Sequence, residues 1–67
     1  MSLVRTEDRA PVRHIVLDRP EQRNALNGKL IAELGAAIEA AAADSDVRVL
    51  VVRGEGPMFS SGMDLNE

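Results

Sequence analysis

The chain contains no cysteine, no tryptophan and no tyrosine, and Phe59 is its one aromatic residue. At 67 residues it is shorter than the usual domain, and natural chains of this size lean on disulfides, a metal or a partner to stay folded. The missing cysteines remove the disulfide, and a single imidazole, His14, offers no ligand set for a metal, so no metal site is expected. The hydrophobic content of 45% comes mainly from Ala, Val, Leu and Ile, which build a thin core. A partner chain is the support that remains.

Charge of one sign is also lacking. Eight basic and eleven acidic residues leave a net charge of −3, scattered along the chain, with no basic run able to neutralise a phosphate backbone, so nucleic acid is excluded as a ligand class. Long apolar runs are missing as well. Residues 1–16 are interrupted by Arg5, Glu7, Asp8, Arg9 and Arg13, which leaves neither a signal-peptide core nor a membrane span. A cytoplasmic protein that does not touch a membrane is the expectation.

What is present has a clear order. Residues 3–7 and 12–17 are β-compatible runs around Asp8-Arg9-Ala10-Pro11, which predicts a hairpin with a four-residue loop. In the second run Val12, His14 and Val16 share one face and Ile15 and Leu17 the other, so that strand should be covered on both sides. Pro20 and the polar residues 21–24 mark a loop. Asn27 then suits a helix N-cap, and Leu30, Ile31, Leu34, Ala37, Ile38 and Ala41 recur on one helical face, with Glu33 and Glu39 off it as solvated carboxylates. Residues 47–52 are almost continuously β-branched or aliphatic, the pattern of a parallel strand buried on both faces. Strand, helix and strand predict a βαβ unit in an α/β protein. His14, flanked by Val12 and Val16, reads as a packed residue.

The glycine-bearing segment 54–62 fits neither phosphate-binding fingerprint: Phe59 stands where a third glycine is needed, and no Gly-Lys-Ser/Thr follows. Its backbone remains available. A turn at Ser61-Gly62-Met63 can aim an N–H at a point beyond the strand's carboxyl end, where it would stabilise an oxyanion, although a plain strand-to-helix turn accounts for the same composition.

Three segments in register carry a resemblance: Ile15-Val16-Leu17-Asp18-Arg19-Pro20-Glu21-Gln22-Arg23-Asn24-Ala25-Leu26-Asn27, Asp46-Val47-Arg48-Val49-Leu50-Val51-Val52-Arg53-Gly54, and Phe59-Ser60-Ser61-Gly62-Met63-Asp64-Leu65. In this order and spacing they resemble the start of an enoyl-CoA hydratase/isomerase (crotonase) superfamily protein. The resemblance implies an α/β crotonase-like (ClpP/crotonase) spiral of β-β-α repeats, of which residues 1–67 supply the N-terminal hairpin and first βαβ unit. The domain would be incomplete, its remainder expected in a second chain or absent, with the break after Glu67 in an exposed loop.

The resemblance further implies that the backbone N–H of Met63 is one of two donors to a thioester oxygen. It places Arg23, Asn24 and Ala25, with Ser61, Gly62 and Asp64, along the groove for coenzyme A, where Arg23 would reach a phosphate. Ser61 stands where the family commonly has Ala. The substrate would be an acyl-CoA of fatty acid metabolism, with coenzyme A entering as part of the substrate and no tightly bound cofactor. The parent would act as a hydratase or isomerase and assemble as a homotrimer or hexamer. The second donor and the catalytic acid and base would lie beyond Glu67. Thioester hydrolysis, decarboxylation and dehalogenation use the same scaffold, and a non-catalytic α/β binding module is the alternative of another class.

Overall fold

The computed structural model describes residues 2–66; Glu67, where the break was expected, lies outside them. Strand β1 (Val4–Arg9) and strand β2 (Val12–Leu17) form the hairpin, a 3₁₀ turn (Pro20–Gln22) follows, helix α1 (Gly28–Ala42) crosses back, and strand β3 (Val49–Gly54) closes the unit. The sheet order is β1-β2-β3, with β2 antiparallel to β1 and parallel to β3. The expected βαβ unit is therefore present. Among the described residues no helix is long and apolar enough to cross a membrane.

The hairpin is tighter than its sequence suggests. Asp8 pairs with Arg13 and Arg9 with Val12, so only Ala10 and Pro11 make the turn, across a cis peptide bond, instead of the expected four residues. Asp8 is drawn into the ladder by Arg13, which donates to both its carboxylate oxygens at 2.7 and 3.0 Å and reaches Asp44 beyond the helix end at 2.8 Å. One guanidinium thus ties the hairpin to the turn that leads into β3.

Strand β2 is the centre of the sheet and of the core. Ile15 and Val16 are fully buried and Leu17 nearly so, as expected for a strand covered on both sides; each such side chain contributes about 1.5–3 kcal/mol by leaving water. Helix α1 starts where its cap allows: the Asn27 side-chain oxygen accepts from Leu30 N–H at 2.9 Å, which satisfies one of the free donors of the first turn. Leu30 and Ala41 are buried on the predicted face, but Ile31 and Ile38 remain exposed. Glu33 departs from the solvated role expected of it, because one of its carboxylate oxygens accepts the N–H groups of Leu3 and Val4 at 2.9 and 3.1 Å. The helix thereby holds the start of β1.

Strand β3 departs most from expectation. It begins at Val49 instead of residue 47, because Val47 N–H closes a turn onto Asp44 and the N–H groups of Arg48 and Val49 both reach Pro11 O. It is also not buried on both faces: Val49, Leu50 and Val52 are 48%, 39% and 38% exposed. The reason is positional, since β3 is the sheet edge and α1 packs over β1 and β2. Its apolar side chains carry the pattern of an interior strand while having, among the described residues, neighbours along one edge only.

Asn27→Ala is expected to destabilise the fold by about 1 kcal/mol through loss of the N-cap. A urea titration followed by far-ultraviolet circular dichroism should show a lower midpoint at unchanged slope.

Candidate active site

Two loops meet at the carboxyl ends of β2 and β3, and a buried amide holds them together. After the 3₁₀ turn both Arg23 and Asn24 have positive φ, 53° and 54°, a conformation that costs a non-glycine residue about 1–2 kcal/mol. Backbone bonds from Arg23 N to Pro20 O (3.0 Å), Asn24 N to Arg19 O (2.8 Å) and Ala25 N to Gln22 O (3.0 Å) fix the turn. It drives the Asn24 side chain inward, where it is fully buried. There its oxygen accepts from Arg19 N–H at 2.8 Å, and its nitrogen donates to Glu55 O and Met58 O at 3.0 and 2.9 Å. The Asn24 carbonyl accepts the Ser60 hydroxyl at 2.8 Å, and that hydroxyl oxygen accepts Gly62 N–H at 3.1 Å. The second loop is therefore moulded on a single residue of the first. A Cβ on Gly54 would lie 2.3 Å from Phe59 O and 2.7 Å from both the Asn24 nitrogen and Met58 O, so only glycine lets β3 end here.

Beyond Ser60 the second loop runs extended beside residues 23–26. Ser61 N–H donates to Arg23 O at 3.0 Å, Leu26 N–H to Gly62 O at 2.8 Å, and Asp64 N–H to Leu26 O at 3.1 Å, a parallel bridge between Leu26 and Met63. Gly62, at φ +99°, supplies the backbone angle this approach requires. Gly62 C=O and Met63 N–H belong to one trans peptide plane and point in opposite directions. With the carbonyl held by Leu26, the Met63 N–H points away from the bridge. Among the described residues it makes no hydrogen bond, whereas the N–H groups of Ser61, Gly62 and Asp64 all do.

Met63 lines a polar groove of about 290 Å³ together with Arg23, Ala25, Ser61 and Asp64, with Glu21, Gln22, Leu65 and Asn66 completing its walls. On the other side of the bridge a second groove of about 270 Å³ is apolar, bounded by Leu17, Leu26, Leu34, Val52 and Phe59, with Ser60 and Gly62 on its rim. The family model for enoyl-CoA hydratase/isomerase matches residues 7–67. This chain belongs to the enoyl-CoA hydratase/isomerase family. EchA13 of Mycobacterium tuberculosis, an enoyl-CoA hydratase by name, is 52% identical over 60 residues, covering 90% of this chain and 19% of its own length. A mouse mitochondrial Δ(3,5)-Δ(2,4)-dienoyl-CoA isomerase is 48% identical over 54 residues, covering 81% of this chain and 16% of that protein. The crystal structure of an enoyl-CoA hydratase/isomerase from Xanthobacter autotrophicus superposes with a TM-score of 0.93 at 45% identity, over 97% of this chain and 24% of that one. The fold is thus crotonase-like. The chain spans about a fifth of the length of the curated relatives it matches.

In this hydratase/isomerase-family chain the site residues expected from sequence separate into two groups. Arg23, Ala25, Ser61, Met63 and Asp64 come together on the polar groove. Asn24 and Gly62 do not line it: the Asn24 amide is spent on two carbonyls and an N–H in the interior, and Gly62 borders the apolar groove on the other side of the chain. His14 lies on β2 between Glu7 and Val51, its Nδ1 buried and without a hydrogen-bond partner among the described residues, remote from both loops in register. Arg19, which the sequence does not mark as a site residue, joins the two loops. Its guanidinium donates to Ala25 O at 3.0 Å and to Asp64 at 2.9 Å, with side-chain exposures of 15% for Arg19 and 12% for Asp64. The hydrogen bond from Arg19, reinforced by Asn66 N–H, holds the Asp64 carboxyl below the usual aspartate range. The Arg-Pro pair before a polar loop was the one available sign, and it does not reveal a partner 45 residues away.

Two outcomes follow from this geometry. Asn24→Ala leaves Arg19 N–H, Glu55 O and Met58 O without their partner and opens a void, and should cost more than about 3 kcal/mol by chemical denaturation. A carboxyl group held low stabilises the fold above its unfolded pKa and loses that contribution as pH falls through the folded one. The melting temperature should therefore drop below pH 3.8, the ordinary aspartate value, and a calorimetric series should show a shallower acid limb for Asp64→Asn than for the unaltered protein.

Proposed function

We propose that this chain is the N-terminal part of a crotonase domain in an acyl-CoA-processing enzyme, a hydratase or isomerase. On this reading Met63 N–H is one of two backbone donors to the thioester oxygen, and the polar groove is part of the coenzyme A site. The observation that carries the reading is a Met63 N–H that is unbonded among the described residues, between bonded neighbours, at a residue that lines the groove. The hydratase and isomerase names of the relatives support it.

The chemistry suits such a donor. Hydration across the double bond of an enoyl thioester, or a shift of that double bond, moves electron density onto the thioester oxygen. A fixed N–H at that point stabilises the enolate-like state more than the ground state. Arg23, exposed on the groove wall, would meet a phosphate of coenzyme A, and the backbone around Ala25 and Ser61 would border its adenine and pantetheine. Coenzyme A then enters with the substrate, with no tightly bound cofactor. The second donor, the acid and the base would come from the rest of the enzyme, which would cover the open edge of β3 and assemble as a trimer or hexamer in the cytoplasm. Thioester hydrolysis, decarboxylation or dehalogenation would draw on the same donor.

The test uses the full-length protein and a short 2-enoyl-CoA, followed by loss of the enoyl absorbance. Met63→Ala keeps the backbone donor and should stay within about threefold of the parent, whereas Met63→Pro removes the N–H and should lower kcat by about 10²–10³-fold. Arg23→Ala should raise KM by up to about fivefold, the range of an exposed ionic contact, with kcat unchanged. Full activity in Met63→Pro would refute the assignment.

A further inference from the structure

The direction of the Met63 N–H is not set by Met63. Its peptide plane is held at the other end, where Gly62 O accepts Leu26 N–H at 2.8 Å, and the following plane is held by Asp64 N–H on Leu26 O at 3.1 Å. The aim of the donor therefore depends on the register and spacing of residues 25–26 against residues 63–64. Two backbone bonds at the end of an otherwise irregular loop pair are a weak lock, because such short bridges open locally at little cost.

Arg19 reinforces that lock. A single guanidinium nitrogen donates to Ala25 O at 3.0 Å, immediately before Leu26, and to Asp64 at 2.9 Å, immediately after Met63. The ion pair thus spans the bridge from one chain to the other. Both side chains are largely withdrawn from solvent, which strengthens the contact relative to one in open water. Arg19 itself is anchored at both backbone groups: its N–H donates to the buried Asn24 oxygen at 2.8 Å and its carbonyl accepts Asn24 N–H at 2.8 Å. Asp64 is held in turn, its other carboxylate oxygen accepting Asn66 N–H at 2.9 Å.

We infer that the Arg19–Asp64 ion pair is a positioning device, which holds residues 25–26 against residues 63–64 so that the Met63 N–H keeps a fixed direction into the groove. Neither side chain touches the reacting atoms. The inference rests on the proposed role of Met63 as thioester donor. Loosening the pair lets the donor wander, and a misplacement of about 1 Å can cost about a hundredfold in rate.

The experiment uses the full-length protein with Asp64→Asn and Arg19→Lys, measuring kcat and KM on the short enoyl-CoA. In parallel, the infrared band of the ¹³C-labelled thioester carbonyl is recorded in bound butyryl-CoA, which is saturated and does not react. In the parent protein the band should lie below its position in free butyryl-CoA. Asp64→Asn should lower kcat by about ten- to a hundredfold with KM within about twofold, and move the band back toward the free position. Arg19→Lys keeps the charge and one contact at a time, and should fall between the two. If either folded variant loses melting temperature while kcat and the carbonyl band stay unchanged, the pair is only a structural tie and the inference fails. A change confined to KM refutes it equally. If the parent itself binds no butyryl-CoA or leaves the band unshifted, the assignment of Met63 fails first, and the positioning role falls with it.

Discussion

The buried amide of Asn24 is the constraint on which the functional end of this molecule depends. A fully buried primary amide must find partners for both its oxygen and its nitrogen, or it costs more than it contributes. Here the partners come from both loops: one N–H from the first, two carbonyls from the second. The left-handed backbone at Arg23 and Asn24 is the strain accepted for turning that amide inward. Once the two loops are joined there, Ser60 can cap the Asn24 carbonyl, and Gly62 can bring residues 61–64 alongside residues 23–26. The chemistry proposed for Met63 is the last step of a chain of hydrogen bonds that starts from a side chain with no access to the groove.

The scaffold divides into a finished part and an open one. The hairpin, the central strand and the first turn of the helix are closed by hydrophobic burial at Ile15, Val16, Leu17 and Leu30, by the Asn27 cap and by the Glu33 contact with the start of β1. On the far side, Ile31 and Ile38 on the helix and Leu50 and Val52 on the edge strand stay partly in water. The apolar groove between Leu34 and Val52 lies in the same region.

Local chemistry was legible in the sequence and long-range chemistry was not. The N-cap at Asn27 depends on a residue three positions away, and the buried run of β2 on period-two patterning; both were evident from the residues alone. The edge position of β3 was not, because its aliphatic composition encodes an interior strand and says nothing of whether a neighbour is present. The hairpin loop was overestimated, since the pull of Arg13 on Asp8 outweighs the loop preference of a polar stretch. Of the site, the motif around Met63 and the placement of Arg23, Ala25, Ser61 and Asp64 were expected from resemblance. The inward turn of Asn24 and the reach of Arg19 were not, because both are defined by partners 31 to 45 residues further along the chain.

Gly54 and Asn24 also limit how such a site can change over time. The space a methyl group would need at position 54 is already occupied by the Asn24 nitrogen, by the Met58 carbonyl that nitrogen holds, and by the Phe59 carbonyl. A smaller residue at 24 would free part of that space but leave the carbonyls of Glu55 and Met58 without their donor. A side chain at 54 would still meet the Phe59 carbonyl. Neither substitution prepares the ground for the other, so the pair has no neutral intermediate between it and another solution. The two positions behind the groove must be inherited together.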